Sequence, residues 1–469
     1  MRRARRTAHR DDSRTIAARP HAQASSKGRK VFMSKTPKSR TARLLAGVMS
    51  AAIVVGWAAP STAQEETFKI GVVTFLSGQA AQSFGVPAWN GGQVLIEKLN
   101  AGEAPAPYAT KGFGGMTIEA VVLDEAGGAT TQVQEYRNLV QREKVDAVVG
   151  YVGSGDCLAV APVADELKQF TILYDCGTPR IFEENDYDYV FRTAANATMD
   201  NVGLALYLKA LGEEVSTYSG INQDYAFGQD SWADFKAAMS QVYPDATVTA
   251  ELFPAFGAGQ YGTEISALMQ KRADVVHSSL WGGDLQALIL QALPRGLFQR
   301  SQAVLSASDH VLPPLGNTMP EGVIIGARGA YGYMAPESEL DTWWKDIYET
   351  KYDVFPVQAP YRMAQAILGL KTAVEKAMAE NGGKKPNSDE LAAAMKGLSW
   401  ESPGGLIEMT NGNGHQAIQQ IGFGRTVKND AGDIILGDVI RFPARCVNAP
   451  EDAKGLDWIN GGFEGAKCD

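Results

Sequence analysis

Residues 143–178 read EKVDAVVGYVGSGDCLAVAPVADELKQFTILYDCGT, and the fold follows from that stretch. The run 145–149 is short, mostly apolar and closed by glycine, which suits a parallel core strand rather than a helix. Gly150, Gly153 and Gly155 turn the chain around Ser154. Asp156 is then placed to cap a helix whose apolar face is Leu158, Val160, Ala161, Val163, Ala164 and Leu167. A second buried strand over 170–174 ends in Asp175-Cys176-Gly177-Thr178. Two neighbouring strands of one parallel sheet thus finish in turns bearing Ser154 with Gly155, and Thr178. In open α/β sheets, bound molecules sit outside the carboxyl ends of the strands, so these turns are the first candidate site.

The same rhythm runs outward in both directions. Strands are expected at 68–75 and 116–123, with helices at 84–99 and 127–142, and Gly91-Gly92 in the first helix implies close packing. After a short strand at 189–193 the pattern starts again. Strands at 215–220, 247–252, 273–280, 303–306 and 323–327 alternate with helices, and three helices follow between 343 and 398. Residues 405–442 read as strands and turns, with Asn411-Gly412 and Asp430-Ala431-Gly432 as hairpin signals. Alternating strands and helices mean doubly wound parallel sheets. There are too many strands for one sheet, so the expected architecture is α/β with two lobes and a cleft between them.

The 469 residues begin with a segment unlike the rest. Residues 1–63 hold 14 Lys and Arg against two acids, followed by an apolar run at 44–59 and the small-residue end Ser61-Thr62-Ala63. This is the pattern of a secretory signal peptide, with Met33 as an alternative start, and the apolar run is shorter than a bilayer span. The leader carries a net +12, so of the whole-chain −9 the exported part holds about −21. That excludes nucleic-acid binding through a basic face. The part after the leader is expected to be soluble, without membrane insertion. Its four cysteines, Cys157, Cys176, Cys446 and Cys468, favour disulfides in an oxidising compartment, with three connectivities open. Pairing Cys157 with Cys176 would rigidify the site, and Cys446 with Cys468 would tie down the C-terminal tail. None of the pairs is CxxC and no histidine lies nearby, which argues against a metal site.

The strand ends together carry Ser77, Ser154, Thr178, Tyr225, Trp281 and Asp309. Hydroxyls and free backbone N–H groups at helix starts suit a carboxylate. Asp309 suits an ammonium group, and the two aromatics suit an apolar or aromatic body. A serine or threonine at a strand end is more often a plain helix cap, and Asp284 reads as the cap of its own helix. Enzyme signatures are missing from the sequence: there is no GxSxG elbow, HExxH, P-loop or GxGxxG. No catalytic residues and no cofactor are expected.

From about 67 to 445 the chain resembles the periplasmic solute-binding proteins of the branched-chain amino acid type, with a type I periplasmic-binding fold. The pieces that carry the likeness are LSGQAA at Leu76, VDAVVGYVGSG at Val145, FRTAANA at Phe191, QDYAFGQ at Gln223, SSLWGGD at Ser278 and NGNGHQA at Asn411. The resemblance implies one lobe from 67–192 with 328–412, a second from 193–327 with 413–445, and a tail at 446–469. Crossovers are implied near 192–194, Arg328 and 412–416. It also implies that Ser154, Cys176 and Thr178 hold a carboxylate beside Gly155 of the strand-end set, Tyr225 and Trp281 flank the ligand, and Asp309 pairs with an amino group. The implied role is capture of an amino acid or other small carboxylate or amide in the periplasm by a monomer. The ligand would pass to an ABC importer permease and its ATPases. A ligand sensor for a membrane receptor fits the same pattern, and a secreted α/β hydrolase would need a nucleophile set that the sequence does not supply.

Overall fold

Short β-branched runs become strands wherever both faces can be covered. The computed structural model describes residues 66–451 and 453–468, so the leader, its cleavage site and Met33 lie outside the described residues. The first five strands are β1 (Thr67–Thr74), β2 (Thr117–Asp124), β3 (Ala147–Gly150), β4 (Thr171–Leu173) and β5 (Val190–Arg192). Next come β6 (Thr217–Ile221), β7 (Thr247–Leu252), β8 (Val275–Ser278), β9 (Gln302–Leu305) and β10 (Ile324–Gly326). The last five are β11 (Ser399–Ser402), β12 (Gly405–Asn411), β13 (Gln416–Ile418), β14 (Ile421–Lys428) and β15 (Ile434–Phe442). They form two sheets, ordered β11-β12-β13-β5-β4-β3-β1-β2 and β15-β14-β10-β9-β8-β6-β7. Every residue of β3, β4 and β5 is buried, as a parallel strand covered on both faces requires.

Both sheets are mixed rather than wholly parallel. β11, β12 and β13 pair antiparallel at one edge of the first sheet, and β14 pairs antiparallel with β10 and β15 in the second. The two hairpin signals explain why: Asn411-Gly412 lies between β12 and β13, and Asp430-Ala431-Gly432 between β14 and β15. The chain passes between sheets after β5, after β10 and at Gln419-Gln420. That last passage corrects the expected crossover at 412–416, because β13 still pairs with β5 in the first sheet. The helix capped by Gly153 starts at Ser154, not behind Asp156, which sits in its first turn.

The helix Val86–Ala101 lies so close to Gln358–Glu380 that a Cβ on Gly91 would come within 2.8 Å of Pro360, and only glycine fits. Both cysteine pairs are joined, Cys157 to Cys176 and Cys446 to Cys468. The second closes the tail into a ring, whose helix Gly455–Asn460 buries Trp458 and Ile459 against the helices Ala197–Ala210 and Ala226–Val242 of the second lobe. No helix among the described residues is long and apolar enough to cross a membrane.

Candidate functional site

The carboxyl ends of the strands from both sheets meet at one small cavity. Val152, Asp175 and Gly177 reach it from the turns after β3 and β4, and Phe84 from the segment after β1. Tyr225, Phe227, Trp281 and Ala307 face them from the second lobe, with Arg328 on the second crossover and Gln358 and Arg362 on the long helix. The lobes close until only about 10 Å³ is left, close to the space of a single water. A larger guest therefore needs the lobes to part.

Three buried charges, Asp175, Arg328 and Arg362, line the cavity, and a fourth, Asp200, stands behind Arg328. Asp175 accepts from Arg328 Nη1 at 2.5 Å and from Arg362 Nη1, while Arg328 Nε donates to Asp200 at 2.9 Å. Asp175, Asp200, Arg328 and Arg362 are each at most 4% exposed, so each charge needs its partners. Burial pushes the Asp200 carboxyl up to about 6, and Arg328 acts against that rise. The guanidinium carbon of Arg328 lies 4.3 Å from the centre of the Phe227 ring, and that of Arg362 5.5 Å from Phe84. Trp281 Nε1 donates to Tyr225 Oη at 2.7 Å, which fixes both rings. Arg362 Nε is buried and has no partner among the described residues. Such an orphan donor costs free energy until an acceptor arrives.

Of the sequence candidates, the structure brings Tyr225 and Trp281 to the cavity. The others have partners within the protein. Glu125, fully buried, accepts the N–H groups of Val152 (2.8 Å) and Gly153 (2.6 Å), so two donors of the turn just before Ser154 are already used. Ser154 Oγ accepts the Thr178 N–H at 3.2 Å, and Gly155 is exposed. Cys176 has its Sγ in the disulfide and its carbonyl oxygen on Arg192 Nη1, and Thr178 Oγ1 donates to Asp230 of the second lobe at 2.6 Å. Ser77 is exposed and donates to Asp124. Asp309 does not line the cavity: its Oδ2 accepts the Gln358 N–H at 3.0 Å, satisfying one orphan donor of that helix start. Burial raises its carboxyl to about 8, against the pull of Arg362. The neighbouring His310 lies with Nε2 2.9 Å from the Gly282 nitrogen and Nδ1 2.7 Å from Gln358 Nε2, which fixes the ring between the two segments.

Asp175, Arg328 and Arg362 escaped the sequence reading. Their signals were present but faint: Asp175 opens the turn already singled out, and Arg362 interrupts an apolar helical run. Arg328 sits at φ 53°, unusual for a residue other than glycine. The closed arrangement is further held by contacts across the cleft. Asp230 accepts from Arg180 Nε (2.9 Å) and Nη2 (2.5 Å), and Asp284 accepts from Gln79 Nε2 at 2.7 Å.

Comparison with known proteins agrees with this architecture. Residues 67–432 match the family described as periplasmic binding protein. The Leu/Ile/Val-binding protein homolog 6 of Brucella abortus (strain 2308) is 24% identical over 392 residues, covering 81% of this chain and 93% of the relative. A solute-binding protein of an ABC transporter from Rhodopseudomonas palustris BisB5, solved with 3,4-dihydroxybenzoic acid, superposes with a TM-score of 0.69 at 22% identity. That match covers 81% of this chain and 98% of the other. A leucine-binding protein from Thermotoga maritima MSB8 gives 0.65 at 21% identity, over 80% of this chain and 99% of its own. These relatives are binding proteins, not enzymes. With most of its length matched by the family model, the chain belongs to the periplasmic binding protein family.

Proposed function

We propose that this chain is the exported solute-binding component of an ABC importer and that its cleft takes a small organic acid with a flat ring. The observation that carries the acid is Arg362 Nε, a buried donor without an acceptor beside the cavity. A carboxylate oxygen would satisfy it with a charge-assisted hydrogen bond. The ring is supported by the walls, since Phe84, Tyr225, Phe227 and Trp281 offer faces and edges for stacking. Solved neighbours from Rhodopseudomonas palustris hold 3,4-dihydroxybenzoic acid, 4-hydroxybenzoate and benzoate. Binding would be reversible, with the lobes closing about the solute in a hinge motion. A membrane permease and its ATPases would receive the closed form, with the protein a periplasmic monomer after loss of its leader.

An α-amino acid is the second reading, favoured by the name of the Brucella relatives. It requires a carboxylate to pair with the ammonium group. Asp175 already serves two arginines, and Asp309 is turned to a helix start. Calorimetry on the chain from Gln64 with benzoate, 4-hydroxybenzoate, benzamide and leucine separates the two. Saturable binding of the benzoates, with benzamide and leucine much weaker, is expected. Leucine binding more tightly than both benzoates would overturn the ring-acid assignment.

A further inference from the structure

A second cavity, of about 230 Å³, lies where the first crossover and the turn between β12 and β13 meet the C-terminal tail. It shares no lining residue with the cleft. Its walls are mostly polar. Glu183 comes from the first lobe, Arg192 and Asn196 from the ends of the first crossover, Asn411 from the end of β12, and Asn448 and Lys454 from the tail.

Two of these groups have unmet needs. Arg192 is completely buried; its Nη1 donates to the carbonyl oxygens of Cys176 and Thr178 and its Nε to Gln416, yet Nη2 has no partner among the described residues. A buried guanidinium N–H of this kind requires an acceptor. Glu183 is half-buried and its side chain accepts the tail's Gly455 N–H at Oε1, 2.8 Å away, with no other side-chain hydrogen bond among the described residues. Burial raises its carboxyl, and Arg192 and Lys454 are close enough to oppose that rise. One polar cavity thus holds a cation short of an acceptor and an acid short of a donor.

We propose that this cavity is a second binding site, for a small zwitterion of the α-amino acid class, with its carboxylate on Arg192 Nη2 and its ammonium group on Glu183. The amides of Asn196 and Asn448 supply the neutral remainder of the shell. The site is independent of which solute the cleft takes. Its occupant touches both lobes and the tail. Through Arg192, which holds the carbonyls on either side of Gly177, it also bears on the cleft wall. Whatever factor binding here applies to affinity at the cleft, binding at the cleft must apply in return.

The test is calorimetry on the chain from Gln64 with glycine, L-alanine and L-glutamine, and with acetate and methylamine as one-ended controls. Three variants are compared: Trp281→Ala in the cleft, Glu183→Gln at the acid, and Ala453→Trp, an exposed position on the cavity lining. At least one zwitterion is expected to bind equally well in Trp281→Ala. It should lose at least tenfold in both Glu183→Gln and Ala453→Trp, with acetate and methylamine at least tenfold weaker. No saturable zwitterion binding at millimolar concentration overturns the proposal. So does binding that is lost in Trp281→Ala and kept in the other two variants, which would assign it to the cleft. Acetate as tight as glycine would reduce the cavity to a simple anion hole and overturn the zwitterion. If the cleft itself takes amino acids, the parent shows two binding events, and the second site is the one that survives Trp281→Ala and disappears in Glu183→Gln and Ala453→Trp.

Discussion

Replacing Asp230 with alanine should loosen the closed form without touching the cavity. Asp230 stands on the helix Ala226–Val242 of the second lobe and accepts three hydrogen bonds from the first: Thr178 Oγ1 at 2.6 Å, Arg180 Nε at 2.9 Å and Arg180 Nη2 at 2.5 Å. The acid is 10% exposed and the arginine 39%, so solvent screens the pair and its value lies below that of a buried one. Allowing about 0.5–1 kcal/mol for the screened pair and about as much again for the threonine bond, the loss is about 1–2 kcal/mol. Binding is completed by closure, so this loss appears in the dissociation constant as a rise of about 5–30-fold. The assay is calorimetric titration with benzoate on the parent and the variant. Small-angle scattering of the ligand-free chains should show the variant more open. Since Asp230 does not line the cavity, an affinity within twofold of the parent would refute the claim that these bonds hold the lobes together.

Three further outcomes are expected. A Cβ on Gly177 would lie 2.3 Å from the Phe227 ring and 2.7 Å from Arg328 Nη2, so Gly177→Ala should wedge the cleft and weaken benzoate binding by at least about tenfold, or 1.4 kcal/mol; calorimetry checks it. Asp309 keeps its proton up to about pH 8 in the fold but ionises near 3.9 when unfolded, so the native state binds more protons and stability falls as pH rises between those values. The buried His277 and His310, pushed down to about 3, act in the opposite sense but only below about pH 6.5. From there to pH 8 the melting temperature should therefore fall, and Asp309→Asn should shrink that slope; an unchanged slope counts against it. Replacing both Cys446 and Cys468 with alanine opens a ring of 22-residue separation and should cost about 3 kcal/mol in denaturant unfolding. A cost near zero would mean that Trp458 and Ile459 dock the tail unaided.

The lobes were legible because their information is local. Glycine-bounded apolar runs at β3 and β4 and helical periodicity between them need no knowledge of distant residues, and the two hairpin signals lie within the turns they make. Tyr225 and Trp281 were legible for the same reason, being the residues at which strands give way to helices. The ion network was not. Asp175 meets Arg328 across 153 positions and Arg362 across 187, and nothing near any of them states that pairing. Glu125 shows the opposite error. The turn after β3 has the donors that an anion needs, but a carboxylate 27 residues earlier in the chain takes them first. The late third crossover was missed because the three residues of β13 are too few to carry a pattern of their own.

The order of strands in the two sheets has a consequence for how the chain becomes a protein. Each sheet is begun by an early block, β1–β5 or β6–β10, and completed only by strands between residues 399 and 442. β13 seals β5 and β14 seals β10, so the first lobe stays unfinished until residue 418 is available and the second until 442. Contacts of such long sequence separation carry a large loop-closure entropy and make folding slow. A growing chain can therefore assemble helices and partial sheets, but neither lobe can reach its final stability before β13 and β15 have been made. Until β13 and β14 are in place, the outer edges of β5 and β10 remain unpaired.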